Sequence, residues 1–149
     1  MVWFDLFLVT MSLIQPGRFV VMLQGRHAGK KALVLAAYPE ATGDRKFPYA
    51  VVMGIESYPK KVTKEMTQEQ LVKKTQVKLF VKAVNFNHIM LTRHTLKEDD
   101  LFKKISVEKV VASLKDAPAK KQVLTEAAVV LRQKYLNNKM SWFFKPLKF

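Results

Sequence analysis

Cysteine is absent from the 149 residues, which excludes a disulfide framework and any thiolate zinc site and fits a reducing compartment. Acids are scarce. Twelve Asp and Glu stand against 26 Lys and Arg, for a formal net charge of +14 and a pI near 10.0. An excess of that size repels itself in a compact fold unless an acidic partner neutralises it, so a nucleic acid is the default partner and an anionic membrane surface the second. An uninterrupted apolar run of the ~20 residues that cross a bilayer is also missing. The opening "MVWFDLFLVTMSLI" is broken by Asp5, Thr10 and Ser12, and it lacks the basic start and small-residue cleavage site of a secretory signal. It reads first as a segment that buries against the body of the protein or against a neighbouring protein, second as a strand extension on a sheet edge, and last as a membrane or targeting segment.

Missing residues also exclude most chemistry. In "LQGRHAGKKALVL", 23–35, three residues separate Gly25 from Gly29, and Lys30 is followed by Lys31. A phosphate-cradling loop of a nucleotide hydrolase needs four residues between its glycines and a Ser or Thr after the lysine to reach magnesium. A dinucleotide fingerprint needs a third glycine and a βαβ frame, and neither is here. His27, His88 and His94 show no zinc-helix spacing. Glu98, Asp99 and Asp100 are consecutive, so they cannot all converge on one reacting bond. No catalytic constellation survives; the sequence predicts no enzyme, no cofactor and no metal.

What is present is a string of short strands. Pro16-Gly17 marks a turn, after which "RFVVML" and "ALVLAA" flank the Gly25–Gly29 break as a hairpin. "YAVVMGIESY", 49–58, is the next strand, with Gly54 suggesting a bulge or a bend. "VKLFVKAVNFNHIM", 77–90, is read as a fourth, with Leu79, Val81, Ala83 and Ile89 facing the core. Between them Thr67 and Gln70 have the spacing of a capping box for a brief helix through Lys74. Beyond 95 the period becomes helical: Ser106 opens one helix, and Asp116 with Pro118 opens a longer one whose apolar face carries Val123, Ala127, Val130 and Leu131. Short strands without long interposed helices favour an α+β chain with a small barrel over a doubly wound sheet. The predicted divisions are an apolar N-terminal extension at 1–15, a barrel domain at 16–95 and a helical C-terminal extension at 96–149 that ends in the aromatic, basic "WFFKPLKF".

Cations gather in two places. Arg26, Lys30 and Lys31 lie at the hairpin tip, where His27 can stack on or donate to a ribose-phosphate. Over 60–82, Lys60, Lys61, Lys64, Lys73, Lys74, Lys78 and Lys82 face only Glu65 and Glu69. Tyr49, Tyr58, Phe80 and Phe86 are interleaved with them, as core residues or as stacking platforms for unpaired bases. The hairpin therefore reads as a turn whose glycines bring backbone and cations close to a polyanion.

The same residues carry a family resemblance. "QGRHAGKKALVL" resembles a KOW element, and "PGRFVVMLQGRHAGKKALVL", "YAVVMGIESYPKKVT", "VKLFVKAVNFNHIMLTRHT" and "WFFKPLKF" follow in the order seen in the eukaryotic-type large-subunit ribosomal protein twenty-seven family. The resemblance implies an SH3-like β-barrel with a KOW hairpin and a helical C-terminal extension, docked on large-subunit ribosomal RNA in the cytoplasmic ribosome. It makes Gly25 and Gly29 the turn glycines. It assigns RNA contacts to Arg26, Lys30, Lys31, Tyr58, Lys60, Lys61, Asn85, Asn87, His88, Arg93, Trp142, Phe143, Phe144 and Lys148, and the cations Arg18 and Lys145 beside these blocks are candidates as well. Residues 1–15 and the 118–136 helix, which is less basic than is usual in the family, are assigned to neighbouring ribosomal proteins. The alternative is a free-standing KOW-type RNA-binding regulator or transcription-elongation factor. Neither reading involves a membrane or a small-molecule substrate.

Overall fold

A computed structural model describes residues 13–40, 43, 45–96 and 104–148. Five strands form one antiparallel sheet: β1 (Arg18–Met22), β2 (Lys31–Tyr38), β3 (Tyr49–Ser57), β4 (Lys78–Asn85) and β5 (Ile89–Thr95), in the order β4-β3-β2-β1-β5. Among the described residues three α-helices accompany it: α1 (Gln68–Lys74), α2 (Val107–Ser113) and α3 (Ala117–Leu136).

Both faces of the sheet are apolar. On one, Phe19, Leu33, Leu35, Val51, Met53, Leu79 and Val81 pack with Ile105, Val110, Ala127, Leu131, Phe143 and Phe144, so helices, tail and sheet share one core. On the other, Val20, Met22, Ala32, Val34, Ala50, Val52, Phe80, Val84 and Ile89 are buried largely against each other, with Ile14 and Phe86 at the margin. Among the described residues no α-helix contributes a side chain to this second cluster. Register shifts between Arg18 and Val20, Val34 and Ala36, and Ile55 and Ser57 supply the local bends.

The expected barrel is corrected on this point: the sheet curls but does not close, and β4 and β5 remain its two edges. The 3-10 turn Phe86–His88 connects them in the chain. That turn also splits the single strand expected over 77–90. The Asn85 carboxamide accepts from the Asn87 N–H at 3.0 Å, a local bond that competes with the ladder and turns the chain. Nor does one parity alone face the core, since Phe80 and Val84 are as buried as Leu79 and Val81.

Gly54 makes no bulge; it stands in register between Ala32 and Phe80. A Cβ there would lie 2.5 Å from the Phe80 ring and 2.8 Å from the Lys31 carbonyl oxygen, so the glycine admits a ring that crosses its strand. Thr67 and Ser106 occupy N-cap positions as expected, yet neither hydroxyl makes a capping bond, so the capping box at Thr67 is not formed. Asp116 is at the N-cap position of α3, again without a side-chain capping bond, and Pro118 follows in the first turn. Ala127 and Leu131 are buried on that helix, Val123 and Val130 half-buried.

Candidate nucleic-acid interface

The β1–β2 hairpin turns on Gly25 and Gly29, at φ 94° and 79°, a region that L side chains rarely adopt. The Gly29 N–H donates to Met22 O at 2.7 Å and the Met22 N–H to Lys30 O at 2.9 Å, closing the loop. Arg26 is exposed at its tip. Lys30 is half-exposed, its ammonium 5.4 Å from the centre of the Tyr58 ring. His27 is not free to stack on RNA: it is buried at 8 % exposure and lies flat on Phe80, ring centres 3.9 Å apart. Burial, and after it the Arg26 charge, hold its pKa below the ordinary 6.5; Lys82 and Lys30 act the same way and Glu56 opposes them.

Lys31 corrects the picture of three cations at the rim. It is 2 % exposed, and its ammonium donates to the carbonyls of Trp142 and Lys145, each at 2.6 Å, while lying 4.0 Å from the Trp142 ring centre. Its backbone N–H donates to the Tyr58 hydroxyl at 2.9 Å. A buried ammonium is tolerable only with such partners. Burial, then the Lys145 charge, push its pKa below the ordinary lysine value, and burial pushes the Tyr58 hydroxyl up. Strand parity explains the placement, because Lys31 falls on the same side of β2 as Leu33 and Leu35, the face on which the tail packs.

The tail is likewise part of the core. Phe143 and Phe144 are 1 % and 3 % exposed, which removes both from any RNA-facing surface of the folded chain. Trp142 is half-buried, with its π surface engaged by His94 stacked at 4.1 Å as well as by Lys31. Lys145 and Lys148 are exposed beyond it.

The second group of cations is outside. Lys60, Lys61, Lys64, Lys73, Lys78 and Lys82 are exposed and Lys74 half-exposed. The Lys60 N–H donates to the Lys74 carbonyl at 2.9 Å, drawing the segment after β3 to the end of α1, so two lysine pairs separated in sequence adjoin. Near β5, Arg93 and Asn87 are exposed and His88 half-exposed, while Asn85 is committed to its turn. Arg18 donates to the Leu13 carbonyl at 3.1 Å. Of the interleaved aromatics, Phe80 is buried, Phe86 half-buried, and Tyr49 stacked on Tyr38 at 4.9 Å. Among the cations that the sequence reading did not single out, Arg45 holds its guanidinium 4.9 Å from the Tyr49 ring centre, and Lys120 on α3 lines a groove with Arg26 and Lys82. Each is half of a basic pair, Arg45-Lys46 and Lys120-Lys121, that the sequence reading did not single out.

Among the described residues, no group of three His, Asp or Glu could hold a metal, and no helix is long and apolar enough to cross a membrane. Residues 1–12 and the run Glu98-Asp99-Asp100 lie outside the described residues.

An α+β fold with an open antiparallel sheet and solvated lysines on several elements places the chain among small basic α+β proteins. Its residues 19–149 match the Ribosomal L27e protein family, and the chain belongs to that family. It is 39 % identical over 136 residues to the large ribosomal subunit protein eL27 of Solanum tuberosum, covering 91 % of this chain and 97 % of that one. The eL27 of Caenorhabditis elegans is 35 % identical over 138 residues, 93 % and 98 % of the two chains. The eL27A of Schizosaccharomyces pombe is 36 % identical with the same coverage. Members of this ribosomal family are structural components and not enzymes, and the four sequence blocks quoted above had pointed to it.

Proposed function

We infer that this protein is a structural constituent of the large subunit of the cytoplasmic ribosome, where it holds ribosomal RNA by neutralising phosphates. The observation that carries the reading is the family match, with relatives named as large-subunit proteins aligned over more than nine-tenths of both chains. The net charge of +14 and the solvated lysines supply the physical means. The hairpin acts as a KOW-type element, with Arg26 and Lys30 as its phosphate contacts. The lysines of 60–82 form a second contact area, joined by Arg18, Arg93, Lys145 and Lys148. Residues 1–15 and α3 meet neighbouring ribosomal proteins; Val129 and Leu136, 67 % and 53 % exposed on α3, suit that role.

The test is the double change Arg26→Glu with Lys30→Glu, leaving the buried Lys31 intact. Affinity for large-subunit ribosomal RNA should fall, and the slope of log affinity against log salt should drop by roughly 1 to 2 units as contacts are lost. An unchanged slope would remove the hairpin from the interface. Failure of the wild-type protein to sediment with large subunits after a moderate salt wash would overturn the assignment as a whole.

A further inference from the structure

A groove of about 490 Å³ opens between the hairpin tip, β4 and the first turn of α3. Three cations line it from three separate elements: Arg26 from the loop, Lys82 from β4 and Lys120 from α3. The stacked pair His27 and Phe80 also lines it, and Glu56 at the end of β3 is its one acid. Among the described residues, none of the three cations has an ion-pair or hydrogen-bond partner for its side chain. The Lys82 ammonium lies close to the loop backbone, 3.5 Å from where a Cβ on Gly25 would stand. Like charges brought together without partners repel one another, and only an anion relieves that cost.

We propose that this groove is an RNA-backbone clamp in which Arg26, Lys82 and Lys120 together bind the phosphates of one RNA strand, tying the hairpin to the C-terminal helices. The clamp rests on the ribosomal-RNA reading above and deepens it. It adds Lys120 as a binding residue and assigns the first turn of α3 to RNA, whereas the exposed Val129 and Leu136 further along remain available to protein. Recognition is by charge and not by stacking, because the rings of His27 and Phe80 are already packed on each other at 3.9 Å. Glu56 limits the affinity by offsetting one of the three charges.

Three single substitutions and one resonance test it. With a single-stranded uridine oligonucleotide as probe, Lys120→Gln should weaken binding by on the order of threefold and reduce the salt slope by about 0.7. Glu56→Gln should strengthen it by a similar factor. Lys121→Gln makes the same charge change one residue away, on an exposed side chain that does not line the groove, and should leave binding unchanged. In nuclear magnetic resonance titrations the His27 ring signals should move on adding the oligonucleotide and, at higher concentration, inorganic phosphate. Its pKa should rise as the surrounding cations are neutralised. Equal losses for Lys120→Gln and Lys121→Gln would overturn the clamp while leaving RNA binding by the wider surface intact. Oligonucleotide binding with no movement of His27 would do the same. A His27 response to an acidic peptide but not to RNA or phosphate would make the groove a protein site and refute the proposal. If large-subunit association fails while phosphate still moves His27 and Lys120→Gln abolishes the response, the ribosomal reading falls and the anion groove stands.

Discussion

Lys30 and Lys31 are adjacent in the chain and opposite in use. Lys30 stays half-exposed beside Tyr58, in the loop that displays Arg26. Lys31 begins β2, turns inward, and fastens the tail through the carbonyls of Trp142 and Lys145. The hairpin thus contains two regions of different physics, a solvated rim where charge is free to meet a polyanion and a clasp where charge is consumed in holding the fold. Net charge counts both alike. Of the surplus cations in this chain, at least one serves the protein and not its partner.

The sharpest way to break that contrast is Lys31→Met, which keeps much of the stem and deletes the ammonium. Two carbonyl oxygens then lose charge-assisted donors, and the expected cost is about 2 to 4 kcal/mol. Urea denaturation measures it. A loss within about 0.5 kcal/mol, the range of an ordinary surface change, would show that the clasp does not hold the tail. Ring-current shifts of Trp142 and His94, stacked at 4.1 Å, should collapse in the same variant, reporting on the tail independently of global stability.

Much of this was readable in advance, and the misses have physical causes. The strands β1, β2 and β3, the N-caps Thr67, Ser106 and Asp116, and the glycine turn follow from patterns that act within a few residues. The inward turn of Lys31 was legible in principle, since it shares a side with Leu33 and Leu35; the Lys-Lys pair read as one patch obscured it. The burial of Phe143 and Phe144 was not legible. They pack on Phe19 and Tyr135 across the fold, and nothing local to "WFFKPLKF" separates a core plug from a stacking platform. Apolar alternation carried through the 3-10 turn at Phe86–His88, because a two-residue period cannot see a strand change that keeps its hydrophobic residues. Lys120 joined the candidate site only through the packing of α3 beside β4, a contact between distant parts of the chain.

A smaller effect tests the boundary between rim and clasp, where His27 lies. Arg26, Lys82 and Lys30 face it together with Glu56, and burial is the leading cause of its lowered pKa. The unfolded chain therefore binds the proton more readily than the folded one as pH falls below the ordinary 6.5, so stability contributed by neutral His27 is present above that pH and declines as pH falls toward the folded-state value. The wild type should lose stability across that interval, and His27→Gln should lose less of it. Parallel curves for the two would mean that the imidazole is solvated in practice and belongs to the rim.

The smallest effect is the most discriminating. Lys30→Ala removes a cation whose side chain, among the described residues, is partnered by the Tyr58 ring at 5.4 Å, toward the outer limit of a useful cation–π distance, so stability should change by no more than about 0.5 kcal/mol. RNA affinity should nonetheless fall, with a lower salt slope, because a solvated charge does its work only when a phosphate arrives. Stability unchanged and affinity reduced for Lys30, against stability reduced for Lys31, is the pattern that separates the two lysines. If Lys30→Ala destabilises the fold as much as Lys31→Met does, the hairpin is one structural unit and its exposed cations owe their placement to packing.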